Sequence, residues 1–226
     1  MIAGQGGSFC QSAALRNPHM SALAFLKRFI ARPAQVASLV PSSKAVTKKV
    51  ADRFDFSVRR VVVEFGPGEG CHTRELLRRA SHDSQFFLFE LDPELARLLE
   101  RQFAADRRVH IIHGDAALLT QELTRRGIEQ CDYVISGIPF SLLEINKKRH
   151  LLRGVYDSLA PGGMFVIYQV TDELRRHALP LFQRAESEYC LLNFPPYFII
   201  SFFKEPKDLV AAGTNGKNGR NGLHHR

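Results

Sequence analysis

The sequence predicts a doubly wound α/β fold, with one mostly parallel sheet, helices on both faces and an antiparallel hairpin at the end. Three observations predict it. Short apolar runs rich in Val, Phe and Ile recur along the chain, separated by segments of helical pattern. The first three runs each end in glycines or a carboxylate. The last two runs follow one another without a long helix between them.

The elements follow in order. Residues 60–65 (Arg-Val-Val-Val-Glu-Phe) read as a buried strand, and 71–80 as a helix. Residues 85–90 (Gln-Phe-Phe-Leu-Phe-Glu) form a second strand, and a helix over 93–104 opens on a proline suited to its first turn. A short strand over 109–113 precedes a helix over 116–126. A fourth strand spans 131–136 and a helix covers 143–159. A Pro-Gly-Gly turn at 161–163 introduces a fifth strand over 164–170, then a helix over 172–182. Strands near 187–193 and 198–204 close the fold. We divide the chain into a disordered N-terminus (1–17), a helical extension (18–56), the α/β domain (57–206) and a flexible Gly- and Asn-rich tail (207–226).

Cys10, Cys71, Cys131 and Cys190 form no Cys-x-x-Cys pair, which argues against a zinc site and a secreted disulfide framework; we expect no metal and reduced thiols. No apolar run reaches the eighteen or so residues of a spanning helix, and no signal-peptide pattern opens the chain. The formal net charge is +8, and all of it resides between residues 16 and 60, where ten basic residues face only Asp52 and Asp55. A basic block of this kind expects an anionic partner, a nucleic acid backbone or an anionic lipid surface. Within it, Ala22, Leu23, Phe25, Leu26, Phe29 and Ile30 share one helical face, Ser21, Lys27, Arg28 and Arg32 lie around the other, and Pro33 ends the helix. Such a helix suits a membrane interface, although a charged face turned to water is the plainer use of the same pattern.

In an open α/β sheet, ligands bind at the carboxyl ends of the strands. The first such end reads Glu64-Phe65-Gly66-Pro67-Gly68-Glu69-Gly70. Its Gly-x-Gly-x-Gly spacing differs from the dinucleotide pattern, whose third glycine would fall at Cys71. Glu90 ends the second strand, where a carboxylate can accept from both hydroxyls of a ribose. Gly114-Asp115-Ala116 follows the third strand, where a carboxylate can accept from an exocyclic amine. Singly, each has a plainer use as a turn, a helix-terminal charge or a cap.

In this order and spacing the residues resemble the class I methyltransferases, across roughly residues 60–204. The resemblance implies a seven-stranded Rossmann-like sheet and S-adenosyl-L-methionine as cofactor, released as S-adenosyl-L-homocysteine. Gly66, Gly68 and Gly70 would pass the methionine part, Glu90 would hold the ribose and Asp115 the adenine. Glu64 would orient the turn or the cofactor's amino group. Pro67, Leu91, Ala116 and Ser136 complete the implied cofactor set.

The fourth strand ends in Ser136-Gly137-Ile138-Pro139-Phe140. Enzymes that methylate planar base amines carry Asn-Pro-Pro-Tyr or Asn-Leu-Pro-Tyr here, with the ring stacking on the base. Ser136 and Gly137 stand where that asparagine would lie, although the chain shares its Gly-Pro-Gly-x-Gly, Glu-x-Asp and Gly-Asp-Ala features with ribosomal RNA adenine dimethylases. The residues from 25 to 29, Val40-Pro41-Ser42-Ser43-Lys44, the glycine turn, Ser136 to Phe140 and Phe194-Pro195-Pro196 together resemble the bacterial soluble-type phospholipid N-methyltransferases. That resemblance implies methylation of phosphatidylethanolamine towards phosphatidylcholine. A related class methylates ornithine lipids, and Phe140 stands where an aliphatic residue is expected, so the headgroup stays open. The same resemblance implies contact of Phe25, Leu26, Lys27, Arg28, Phe29, Ile30 and Lys44 with an anionic membrane surface. The expected place of work is the cytoplasmic face of the cell membrane, and nucleic acid is an unlikely partner.

The acceptor amine must be neutral to attack. Neutralising an alkyl ammonium at pH 7 costs about 4 kcal/mol, which desolvation and a nearby cation both reduce. The carbonyls of Ser136 and Gly137, with Tyr168, are the candidates to hold the amine, and Glu144 and His72 are weaker candidates for a base. Lys44 and the Lys147-Lys148-Arg149 cluster are candidates for a lipid phosphate, the cluster serving equally as a solvated helix face. Three classes stand at this point: a lipid methyltransferase, a nucleic-acid adenine methyltransferase, and a cofactor-binding protein without catalysis.

Overall fold

The computed structural model describes residues 42–193 and 195–206. The amphipathic helix expected over residues 21–32, the terminal segments 1–17 and 207–226, and Phe194 lie outside the described residues.

The elements run α1 (Lys44–Ala51), β1 (Val61–Phe65), α2 (Cys71–Arg79), β2 (Gln85–Glu90), α3 (Pro93–Phe103), β3 (Val109–His113), α4 (Leu119–Arg125), β4 (Cys131–Ser136), α5 (Ile145–Ser158), β5 (Leu159–Gln169), α6 (Leu174–Phe182), β6 (Arg184–Cys190) and β7 (Tyr197–Phe203). The seven strands form one sheet in the order β3-β2-β1-β4-β5-β7-β6. Strands β1 to β5 are parallel to their neighbours. β7 is antiparallel to both β5 and β6, so β6 runs in the direction of β5. This is the seven-stranded sheet with a terminal hairpin that the sequence predicts.

Strand period decides which helix each side chain meets. Val61, Val63 and Phe65 of β1 pack with Leu123, Leu152 and Phe182 of α4, α5 and α6. Val62 faces the other way, with Val50, Leu76 and Leu99 of α1, α2 and α3. All five residues of β1 are buried because helices cover both faces of a central parallel strand. Val46, Val50, Phe54 and Phe56 belong to the same core as Phe86 and Tyr133, so residues 43–56, grouped by sequence with the N-terminal extension, are built into the domain. Ser43 caps α1, its side chain accepting from the Val46 amide.

Three boundaries differ from expectation. β5 begins at Leu159, so the Pro-Gly-Gly segment lies inside the strand as a register shift against β4. The end of β7 holds it there: the Gly162 amide donates to the Lys204 carbonyl, and the Lys204 amide to Gly163. β6 starts at Arg184, because Gln183 adopts a left-handed conformation and turns α6 directly into the strand. The helix expected over 116–126 divides into a 3-10 turn, Ala116–Leu118, and α4.

Candidate active site

The carboxyl edge of the sheet changes its winding direction between β1 and β4, and the site forms there. Gly66, Gly68 and Gly70 all have positive φ, which lets the chain turn back across the end of β1. Gly70 begins α2 with φ 74°, and a Cβ there would meet Gln102 and Phe103 at 3.0 Å. The turn therefore sits flat against α3 and leaves its other side bare.

Glu90 is buried at the end of β2 and locked by backbone donors. Its Oε1 accepts from the Asp92 amide at 3.0 Å, and its Oε2 from the Gly68 amide at 3.2 Å. This ties the second strand end to the glycine turn. Leu91, next to it, is exposed, and Pro67 is buried. Asp115 follows β3, where it caps the 3-10 turn by accepting from Ala117 at 3.0 Å. Lys147 Nζ of α5 donates to its Oδ2 at 2.6 Å, and that bond holds the Asp115 carboxyl below the usual range. Ala116 is buried beneath it.

Glu64 has no exposure at all. Thr73 donates to its Oε2 at 2.6 Å, while Oε1 has no partner. Burial pushes the Glu64 carboxyl up to about 7. His72 lies stacked on Tyr168, ring centres 4.2 Å apart, with neither ring nitrogen partnered. Burial lowers its pKa to about 3, so the imidazole is neutral at pH 7 and unsuited as a base. Burial, then the neighbouring Glu64 carboxylate, raises the Tyr168 phenol well above its usual value. The ring of Tyr168 is buried rather than surface-facing.

Ser136 and Gly137 close the opposite side. Ser136 Oγ accepts from the Ile138 amide at 3.1 Å and so shapes the turn. The Gly137 amide donates to the Phe65 carbonyl, which holds the end of β4 against the end of β1. A Cβ on Gly137 would lie 2.5 Å from the Tyr168 hydroxyl and 3.0 Å from the Gly66 carbonyl. Gly66, Gly137 and Tyr168 therefore meet at one point, beside Glu64 and His72.

Some expected groups lie elsewhere. Glu144 is exposed at the start of α5. The Lys147-Lys148-Arg149 cluster is not one phosphate cradle: Lys147 pairs with Asp115, and Lys148 is buried against Glu173 at 2.8 Å. Lys44 is exposed at the start of α1. Thr73 and the Lys147–Asp115 pair escaped the sequence reading. Thr73 had a signal in its place in the first turn after the glycines, whereas the pair spans thirty-two positions and has none. Among the described residues no group of His, Cys, Asp and Glu could hold a metal.

The sequence is 34% identical to an ornithine lipid N-methyltransferase of Singulisphaera acidiphila, over 84% of this chain and 92% of that one. The chain belongs to the class I S-adenosylmethionine-dependent methyltransferases. The methyltransferase also matches the family model of ribosomal RNA adenine dimethylases over residues 41–137. An rRNA adenine N-6-methyltransferase of Aeromicrobium erythreum is 41% identical, but over only 43% of this chain and 26% of its own. Its fold is shared with the precorrin-6y C5,15-methyltransferase of Geobacter metallireducens, at TM-score 0.58 and 15% identity over 74% of this chain and 91% of that one. It is shared as well with the N-methyltransferase NodS of Bradyrhizobium japonicum, at TM-score 0.54 and 12% identity over 71% and 84% of the two chains.

The residues present fit the cofactor. The bare glycine turn leaves room along β1, the fixed Glu90 carboxylate awaits hydroxyl donors, and the buried Glu64 Oε1 lacks the donor it requires. S-adenosyl-L-methionine supplies a methyl group on a sulfonium when bound. The chain itself positions, desolvates and excludes water, with a buried wall from the stacked His72–Tyr168 pair.

Proposed function

We propose that the methyltransferase methylates the primary amine of a membrane aminolipid, and that this lipid is ornithine lipid. The observation that carries this reading is the end-to-end similarity to the Singulisphaera enzyme, which covers nearly all of both chains. The family model of ribosomal RNA adenine dimethylases matches residues 41–137 alone, and the Aeromicrobium enzyme matches 43% of this chain and 26% of its own. Ser136-Gly137 in place of a base-binding asparagine also supports an alkyl amine over a planar one.

In this reading the Ser136 and Gly137 carbonyls and the Tyr168 hydroxyl hold the amine. S-adenosyl-L-methionine would supply its methyl group to the amine nitrogen so held, and the proton displaced from the methylated amine would pass to water. Burial disfavours the ammonium before attack, so a neutral His72 and a Glu64 that titrates near 7 are compatible with the chemistry. The place of work is a membrane surface reached from the cytoplasm, with the basic N-terminal block supplying the attraction to anionic lipid.

The purified chain with methyl-labelled S-adenosyl-L-methionine tests this. Separate assays offer ornithine lipid, phosphatidylethanolamine and ribosomal RNA. Label in methylated ornithine lipid on thin-layer plates is expected. Label in phosphatidylethanolamine instead reassigns the headgroup, and label in RNA alone overturns the lipid reading.

A further inference from the structure

The large apolar side chains exposed among the described residues are distributed unevenly. Six of the eight follow the carboxyl end of a strand, on the edge that carries the site. Leu91 and Leu118 follow β2 and β3, beside Glu90 and Asp115, where a bound adenosine accounts for them. Leu142 and Ile145 follow β4, and Leu191 and Leu192 follow β6. These four belong to the other half of the sheet, on the side of β1 away from Glu90 and Asp115. Leu191 and Leu192 are 71% and 69% exposed, adjacent in sequence, and carried on a hairpin loop. Isolated exposed apolar side chains need no explanation, but four along one edge of the sheet do.

The chain outside the described residues joins the domain at the same place. The Ser43 amide donates to Asn193 Oδ1 at 2.9 Å, one residue beyond Leu192. The first 51 residues contain seven Lys and Arg and no Asp or Glu. An acid-free basic segment and a set of bare leucines thus meet at one edge. Apolar side chains beside cationic ones fit a surface with an anionic layer over an apolar interior.

We propose that the substrate half of the carboxyl edge, centred on Leu191 and Leu192 with Leu142 and Ile145, docks into the surface of an anionic lipid bilayer. The mouth of the site then faces the membrane, and a headgroup reaches the acceptor position without its lipid leaving the bilayer. This rests on the aminolipid reading but is tested by a signal independent of methyl transfer.

The chain has no tryptophan, so one introduced indole reports alone. Leu192→Trp places it on the docking edge, and Val58→Trp places it on the opposite edge, before β1, at a position that is also exposed. Both full-length proteins are titrated with vesicles of phosphatidylcholine and phosphatidylglycerol. Emission of Leu192→Trp is expected to shift to the blue and to be quenched by brominated lipid, while Val58→Trp does neither. A paired Leu191→Ser and Leu192→Ser variant is expected to lose at least tenfold in vesicle affinity, with its unfolding midpoint and S-adenosyl-L-homocysteine binding unchanged.

Equal responses at both positions, or none at Leu192→Trp, overturn the proposal. So does emission already blue-shifted without vesicles, which would mean that a second copy or another part of the chain covers the loop. Vesicle docking without any lipid methylation would keep the docking edge and reject the aminolipid reading instead.

Discussion

Glu90 ties the second strand end to the glycine turn and is the candidate acceptor for the cofactor's ribose. Its two oxygens each accept one backbone N–H, which leaves lone pairs facing the cleft. Glu90→Ala removes the ribose acceptor and frees the glycine turn at once. Hydrogen bonds to a charged group contribute about 1.5–3 kcal/mol, so S-adenosyl-L-homocysteine should bind roughly ten- to a hundredfold more weakly by calorimetry. Unchanged affinity would reject the assignment. Glu64 and His72 make opposite demands on pH. The folded Glu64 carboxyl titrates near 7, above its ordinary 4.5, so the folded state holds an extra proton between those values and stability falls as pH rises through them. His72 titrates near 3 instead of 6.5, so the unfolded state holds the extra proton and stability falls as pH drops below 6.5. Between 4.5 and 6.5 the two slopes cancel. His72→Phe removes one of them, and relative to its effect at pH 8 it should gain about 2 kcal/mol at pH 5. Thermal unfolding across pH measures this, and a parallel offset at all pH values would contradict it.

At the scale of elements, the α1 segment and the β6–β7 loop hold each other. Asn193 accepts from the Ser43 amide, and its Nδ2 donates to the Pro195 carbonyl at 2.8 Å. The residue is nearly buried, so both bonds are made away from water. Lys49 and Arg53 of the same segment reach Glu188 on β6. Their partial exposure makes these ion pairs weak supports beside the buried amide. Asn193→Ala should cost about 1–3 kcal/mol in denaturant unfolding. Loss of less than a few tenths would mean that α1 is held by its apolar face alone. The glycine turn, by contrast, is held from beneath by α3, where Leu99, Gln102 and Phe103 leave no room for a side chain at Gly70.

Across the whole molecule, charge is segregated. The sequence from residue 61 onward balances its charges, and the positive excess lies before it. Deleting residues 1–32 removes Arg16, Lys27, Arg28 and Arg32. Near an anionic membrane each contributes about 1 kcal/mol, so co-sedimentation with phosphatidylglycerol vesicles should fall sharply. Affinity for S-adenosyl-L-homocysteine should hold, because its candidate ligands lie between Glu64 and Ser136. Undiminished vesicle binding would refute a role for this segment.

The strands were legible in the sequence because parallel strands buried on both faces leave unbroken apolar runs, as in Val61-Val62-Val63 and Phe86-Phe87-Leu88-Phe89. The candidate cofactor residues were read for a related reason: ligands bind where such strands end, and Glu90 and Asp115 stand at positions that the strands themselves mark. Those features alone determined the fold class and the cofactor. Only the tertiary structure decided which distant groups meet. It stacked His72 on Tyr168, set Gly137 against Gly66, paired Lys147 with Asp115 and brought Ser43 to Asn193. Each pair joins segments that are remote in the chain, and each depends on sheet order and helix placement, to which local periodicity is blind. The same dependence gathers Leu142, Ile145, Leu191 and Leu192 at one edge, since α6 must first carry the chain back so that β6 runs parallel to β5, with β7 then entering between them.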